Sequence, residues 1–345
     1  MTILITGASG RTSRYVLKAI LIVAEASPPD LRLMVHSQHG IDKLKAEFPD
    51  LPESSFVIAD YMEASTLPPV MKNVDIVFHN GPAFSSLEAA MGIALIDAAR
   101  DAGVKHFVFC SVLFPLLTKL LNHKIKLEVE EYLVESGLNY TILQPSSYMQ
   151  NINVKEVVKT GILPCAYNPT TLQGFLDLQD LGGIAALVLL DPTPHNRARY
   201  ELVGENCSLE EVAGSITRAK GGQIVKIQVV PRDEVIQSAA VPVNPTSYYA
   251  REAMERMLYY YDRRGIPGNN NTVRWLLGRE PNTWETLLQR DLRLPVTMTV
   301  TEEKEIVLNA DGTNSRGGHG NGYSSTPALS CVICEAFAMK SSFSL

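Results

Sequence analysis

The sequence predicts an α/β fold: a doubly wound parallel sheet followed by a smaller α+β C-terminal lobe. Three observations carry this expectation. The chain opens on Met1-Thr2-Ile3-Leu4-Ile5-Thr6, a short apolar strand, and runs at once into a turn of small residues and a helical pattern with Tyr15, Val16, Ala19 and Ile20. Short apolar segments then alternate with helical periodicity through residue 145, the pattern of βαβ units. With 345 residues, the chain is long enough for one large domain or two lobes around an ample core.

The elements follow in order. Strands are expected at residues 2–6, 31–36, 55–59, 76–79, 106–110 and 140–143. Each is short, apolar and often β-branched, as strands buried on both faces of a parallel sheet are. Helices are expected between them at 12–26, 41–48, 66–72, 87–102 and 120–136. After Pro145 the alternation breaks. Residues 161–173, rich in Pro, Thr and Asn, read as a loop, 177–190 as a helix, and 199–203 and 226–230 as strands. Ser208, followed by Glu210 and Glu211, caps a helix over 208–218. Further helices are expected over 248–264 and 282–290. The expected division is a Rossmann-type domain over 1–150, a smaller lobe over 151–295 covering its crevice, and an irregular or disordered appendage over 296–345. Within the appendage, 296–308 is read as either a hairpin or irregular chain, and the Gly, Asn, Ser and Thr that follow cannot sustain a core.

Bulk composition excludes several classes. A net charge of −6 argues against a general nucleic-acid or anionic-membrane surface. Cys110, Cys165 and Cys207 sit in apolar or mixed runs and read as reduced thiols. Cys331-x-x-Cys334 has no second pair, and nothing completes His36-x-x-His39, so no metal site is expected. With a first strand beginning at residue 2, no signal peptide is expected. The run Ile184–Leu190 is too short to span a bilayer. The expected location is cytoplasmic, or nuclear for a regulator.

The chemistry gathers where parallel strands end, because ligands of such sheets bind beyond the strands' C-terminal ends. Those ends carry Gly7 to Ser13, His36, Asp60, Asn80 and Gly81, Ser111 and Phe114, and Tyr148 and Met149. The first end has the spacing G-x-x-G-x-x-S. Gly7 permits a sharp turn, Gly10 lets a pyrophosphate approach the backbone, and Ser13 packs the helix on the strand. Ser9, Arg11 and Thr12 complete this cradle. The second strand ends in His36-Ser37-Gln38-His39, with Lys43 beyond and no carboxylate to bind a ribose 2′-hydroxyl; Asp30 lies at its other end. With Arg11 able to reach a 2′-phosphate, NADP(H) is favoured over NAD(H). No lysine of the chain has a tyrosine four residues before it, and counting back from Lys126 reaches Asn122. The Tyr-x-x-x-Lys proton donor of ordinary short-chain dehydrogenases is therefore absent.

Taken together, Gly-x-x-Gly, Asp60, His79-Asn80-Gly81, Cys110-Ser111, His123-x-x-Lys126-x-x-Val129-Glu130-x-x-Leu133 and the run Gly137-Leu138-Asn139-Tyr140-Thr141-Ile142-Leu143-Gln144-Pro145 resemble the NmrA-like branch of the atypical short-chain dehydrogenases. Phe175-Leu176-Asp177-Leu178-Gln179-Asp180 and Tyr200-Glu201-Leu202-Val203-Gly204 are similar to its C-terminal lobe, and Gly278-Arg279-Glu280-Pro281-Asn282-Thr283-Trp284-Glu285 to a closing helix of fungal members. The resemblance covers about residues 1–292. It implies that Lys126 binds the nicotinamide ribose or polarises a substrate, with His123 as proton donor and Ser111 orienting a carbonyl. The plain alternative is a surface Lys126–Glu130 pair at i,i+4 with an idle histidine. Phe114, Tyr148 and Met149 would wall a substrate pocket, unless they are packing. The family mixes reductases with redox sensors, so two functions are expected. One is an NADPH-dependent reductase of a small carbonyl, enone or quinone. The other is an NAD(P)-sensing regulator that binds a protein partner, favoured by the missing tyrosine. Neither a nucleic acid nor a membrane is expected as a partner.

Overall fold

A computed structural model describes residues 1–239 and 248–293 of the chain. The appendage expected over 296–345, with Cys331 and Cys334, lies outside the described residues.

The first half alternates as the hydrophobic pattern requires: β1 Thr2–Ile5, α1 Arg11–Val23, β2 Asp30–Val35, α2 Gln38–Glu47, β3 Phe56–Ile58, α3 Leu67–Met71, β4 Ile76–His79, α4 Glu88–Asp101, β5 His106–Cys110, α5 Leu121–Glu135 and β6 Tyr140–Pro145. The second half comprises β7 Ser147–Tyr148, α6 Val154–Thr160, β8 Ile162–Cys165, β9 Gln173–Leu176, α7 Leu178–Leu190, β10 Ala198–Leu202, β11 Glu205–Cys207, α8 Leu209–Ala219, β12 Lys226–Val229, α9 Arg232–Ala239, α10 Tyr248–Arg263, α11 Asn271–Leu277 and α12 Trp284–Asp291.

Seven strands form one sheet in the order β10-β6-β5-β4-β1-β2-β3, with every pairing parallel. Its direction of winding switches between β1 and β4, the position where ligand crevices open in such sheets. Alternate side chains feed two cores. Ile3, Ile5, Phe78 and Val108 pack with Val16, Leu17 and Ile20 of α1 and Leu181 and Ile184 of α7. Leu4, Val77, Phe107 and Phe109 pack on the other face with Leu95 and Ile96 of α4 and Val129 and Leu133 of α5. Helices α1 and α7 meet backbone to backbone. A Cβ on Gly182 would lie 2.7 Å from the Tyr15 carbonyl oxygen, so only glycine fits there.

The later part departs from expectation in two ways. The strand read at 199–203 does not belong to the lobe. β10 joins the edge of the main sheet, pairing Ala198 with Thr141 and Leu202 with Pro145, and α7 covers that sheet. Residues 151–295 therefore serve both bodies. The stretch read as a loop over 161–173 contains β8, which pairs parallel with β12. Its side chains alternate exposed and buried from Ile162 to Cys165, and Pro164 is tolerated because a two-stranded sheet is all edge. The lobe proper packs Met149, Phe175, Val212, Ile216, Trp284 and Leu287 into a third core. Helix α8 starts on a capping box, in which Ser208 Oγ accepts from the Glu211 N–H and Glu211 caps Ser208 in return.

Buried acids at the start of α7 tie the closing helix to it. Asp180 accepts from Arg279 and from the Asn282 N–H, both at 2.6 Å. Asp177 accepts from Arg290 at 2.6 Å and Gln150 at 2.6 Å.

Candidate cofactor cleft

The glycine turn is built from β1 outward. Thr6 is buried, and its Oγ1 lies 3.0 Å from His79 Nδ1 and accepts from the Asn80 N–H at 3.2 Å. The ends of β1 and β4, on either side of the winding switch, are thereby locked together. Gly7 adopts φ +53°, and its carbonyl receives the Gly10 N–H at 2.8 Å. A Cβ on Gly10 would stand 2.9 Å from that same carbonyl. Ser13 Oγ donates to the Thr6 carbonyl at 3.0 Å, so a small hydroxyl residue does fasten α1 to β1. Helix α1 begins with no side-chain cap, leaving its first N–H groups free for an anionic ligand.

Beyond this turn lies a cleft of about 760 Å³, lined by Arg11, Thr12, Asn80, Gly81, Glu88, Ser111, His123, Lys126 and Tyr148 among others. Eight of these, all but Glu88, are residues read from the sequence, and they share one cavity. Lys126 is buried, its Nζ 2.6 Å from Glu88 Oε1 and 5.5 Å from the centre of the Phe109 ring. The alternative, a surface Lys126–Glu130 pair, does not form. Glu130 is also buried, and it takes the Ser111 hydroxyl at 2.5 Å, both protons' worth of contact from Gln144 Nε2 at 2.9 and 3.0 Å, and Arg199 at 3.8 Å. Burial raises the Glu130 carboxyl above its ordinary value, opposed by the Ser111 and Gln144 hydrogen bonds. Ser111 has given its only proton to Glu130, so it can accept from a ligand but cannot donate to a carbonyl as expected.

His123 also differs from expectation. Its Nδ1 lies 3.0 Å from the Phe114 carbonyl. A carbonyl only accepts, so Nδ1 carries the proton and Nε2 is left an acceptor. Burial, aided by Lys126, pushes its pKa down. A neutral ring in this tautomer does not supply a proton through Nε2. His79 lies deeper, stacked on Phe109 at 5.6 Å, and burial with the Lys126 charge pushes it down to about 3.

Of the three pocket-wall candidates, only Tyr148 lines the cleft. Its hydroxyl is 3.8 Å from Cys110 Sγ, and burial holds the phenol protonated, well above its usual value. Phe114 packs with Leu113, Leu120, Val203 and Ile266, and contributes its carbonyl. Met149 is fully buried in the lobe core. Their apolar character reflects packing.

Arg11 donates to the Gln150 carbonyl at 2.9 Å and to Asn151 Oδ1 at 2.5 Å. It is held toward the lobe rather than toward β2, contrary to the expected reach for a 2′-phosphate. The end of β2 instead presents His36, whose side chain is 80% exposed and 3.6 Å from Asp60, and Lys43 lines the cleft.

Sequence reasoning missed Glu88, Ser146 and Gln173, and met Asn122 only as the place of a missing tyrosine. All four line the cleft. Each has a buried polar atom without a partner among the described residues: Glu88 Oε2, Asn122 Oδ1, Ser146 Oγ and Gln173 Nε2. Gln173 is oriented by the Ile266 N–H, which donates to its Oε1 at 3.0 Å, so its amide N–H groups are free. Buried polar groups are almost always paired, and this concentration of unpaired ones fits a polar ligand. No periodicity marks these positions, and of the four only Ser146, directly after β6, lies at a strand end where the rule points.

A glycine turn at the start of β1, an uncapped helix above it and a polar cleft across the winding switch define a dinucleotide-binding protein of the short-chain dehydrogenase type. The chain belongs to the NmrA-like family, whose model matches residues 1–283. Among relatives, it is 27% identical to the NAD(P)H azoreductase of Xenophilus azovorans over 231 residues, 65% of this chain and 78% of that protein. The NADPH-dependent quinone oxidoreductase QOR2 of Escherichia coli, solved with NADPH, superposes with a TM-score of 0.68 at 21% identity, over 84% of this chain and 99% of that one. NmrA, described as a negative transcriptional regulator and solved with NAD, superposes with a TM-score of 0.64 at 19% identity, over 84% and 94%. The chain thus has an NAD(P)-binding fold with oxidoreductases among its homologues. Among the described residues, no helix is long and apolar enough to cross a membrane.

Proposed function

We propose that this chain is an NADPH-dependent oxidoreductase that reduces a small carbonyl, enone or quinone. The observation that carries the reading is the buried Lys126–Glu88 pair in a cleft whose unpaired polar atoms fit a bound ligand. Gly7, Gly10 and the first turn of α1 would hold the pyrophosphate, with Asn80 and Gly81 beside it. Lys126 would hold the nicotinamide ribose. The bound cofactor supplies hydride. Lys126 Nζ presents an ammonium proton toward the substrate oxygen and stabilises the charge that builds there. Gln173 Nε2 and Ser146 Oγ offer further donors, with Leu113, Tyr261 and Ile266 as the apolar wall. Preference for NADP(H) is supported by Lys43 and the lack of a carboxylate on β2's own end, and no longer by Arg11.

The missing Tyr-x-x-x-Lys pair favours a second reading: a sensor that binds NAD(P), acts through a protein partner and has no turnover. The test is NADPH oxidation over a panel of carbonyls, enones and quinones, beside calorimetric titration of both cofactor pairs. Oxidation with one substrate class is the expected result. Tight cofactor binding with no oxidation by any class rejects the enzyme in favour of the sensor.

A further inference from the structure

The Lys126–Glu88 pair satisfies only half of its carboxylate. Glu88 is 1% exposed. Its Oε1 receives the Lys126 ammonium at 2.6 Å, while Oε2 has no donor among the described residues. A charged oxygen kept from water without a donor is strongly disfavoured, unless a ligand brings one. Glu88 opens α4 and lines the cleft. Gly81 lies against it: a Cβ there would be 3.5 Å from Glu88 Cγ and Oε1. Gly81 follows β4, and Lys126 stands over Phe109 of β5, so the pair sits on the β4–β5 side of the winding switch. A dinucleotide bound across such a switch lays its adenosine half over the β2 side and its nicotinamide riboside over the other.

We propose that Glu88 is the second arm of the subsite in which Lys126 holds the nicotinamide ribose, the two forming a clamp for its vicinal 2′,3′-diol. Glu88 Oε2 accepts one hydroxyl proton. Lys126 spends one of its three ammonium protons on Glu88, turns one to the substrate and has one for a diol oxygen. Donor and acceptor side by side suit neutral hydroxyls and disfavour a phosphate or carboxylate, which would face the carboxylate of Glu88 with no proton to give. Glu88 is then a cofactor-binding residue in its own right. This rests on the dinucleotide reading of the cleft.

The test compares the full-length protein with its Glu88→Gln and Glu88→Asp variants by calorimetric titration, with no turnover required. The ligands are the preferred dinucleotide and its adenosine fragment, 2′-phosphoadenosine 5′-diphosphate for NADP(H) or ADP for NAD(H), which lacks the nicotinamide riboside. Removing a negative charge strengthens binding of any phosphate ligand, so the readout is the ratio of the two dissociation constants. Glu88→Gln should raise the dinucleotide-to-fragment ratio about tenfold, equivalent to ~1.4 kcal/mol. Glu88→Asp, which keeps the carboxylate, should recover part of the loss. An unchanged ratio overturns the clamp, as does a parallel loss for dinucleotide and fragment, which would mark a purely structural role. Failure of the wild type to bind any dinucleotide overturns the cleft reading itself and is distinguished from both.

Discussion

Replacing Lys126 by alanine probes the site and the fold at once. Glu88 loses the one cation at hydrogen-bond distance among the described residues, 2.6 Å away, and its side chain is only 2% exposed. Stripping one partner from a buried ion pair costs roughly 3–5 kcal/mol, because the remaining charge is left unpaired. The Lys126 side chain is 11% exposed and borders the cleft, so water can enter the vacated space and lower that cost to about 2–3 kcal/mol. For a folded body of this size this means a melting temperature lower by roughly 5–10 °C. The isosteric double variant Lys126→Met/Glu88→Leu removes both charges and should regain most of the stability. It should not regain function: cofactor affinity stays low in both variants, and turnover falls about a hundredfold or more, the scale of a lost acid or electrostatic group. Differential scanning fluorimetry and NADPH titration read the two effects separately. A Lys126→Ala protein that melts like wild type would refute the claim that Glu88 depends on Lys126. A double variant with restored cofactor binding would refute the role of the pair in the site.

Other perturbations follow from the same geometry. Gly10 has φ −70° and ψ 154°, which any residue adopts, so Gly10→Ala tests space alone. With its Cβ 2.9 Å from the Gly7 carbonyl, cofactor affinity should fall at least tenfold, and unchanged titration of a folded variant refutes the cradle. Arg11→Ala should weaken NADPH and NADH alike, whereas Lys43→Ala should weaken NADPH more; a selective NADPH loss in Arg11→Ala would return the 2′-phosphate role to Arg11. Acid should destabilise the fold. His79 and His106 are pushed down to about 3 and about 4, chiefly by burial. Their unfolded forms protonate below about pH 6.5 while the folded forms stay neutral, so stability is full above that pH and is lost as pH falls toward the folded values. Between pH 6.5 and 5 each should cost about 2 kcal/mol in urea unfolding, and His79→Asn should flatten that slope; equal slopes would contradict the burial argument.

The sheet was legible where local pattern and tertiary role coincide. The strands at 76–79 and 106–110 have the bounds expected, because a short run that is apolar but for one histidine leaves little room for another reading. The glycine turn was legible because Gly7, Gly10 and Ser13 answer to constraints within one turn of chain. What failed depended on distant partners. Helical spacing pairs Lys126 with Glu130, but Glu130 finds neutral donors in Ser111 and Gln144, and Lys126 turns to a carboxylate 38 residues away. Local sequence showed a strand near 199–203 but carries no information about its neighbour, so its return to β6 was invisible. Pro164 masked β8. Phe114 and Met149 have the composition of a pocket wall, yet core packing uses the same residue types.

The return of β10 has a consequence for how the chain is made. Tyr140 to Pro145 of β6 are buried throughout, and one entire edge of that strand is covered only by β10. During synthesis β6 emerges first, and the whole excursion through β7, β8, β9 and α7 must follow before Ala198 to Leu202 arrive. Over that interval the nascent sheet shows an open, apolar edge of unpaired amides, the surface most prone to pairing with another chain. Stalled or prematurely terminated chains ending before residue 198 should therefore aggregate or bind chaperones, and chains reaching just past residue 202 should not carry that particular liability; ribosome-bound nascent chains of the two lengths, compared by chaperone crosslinking, would show the difference.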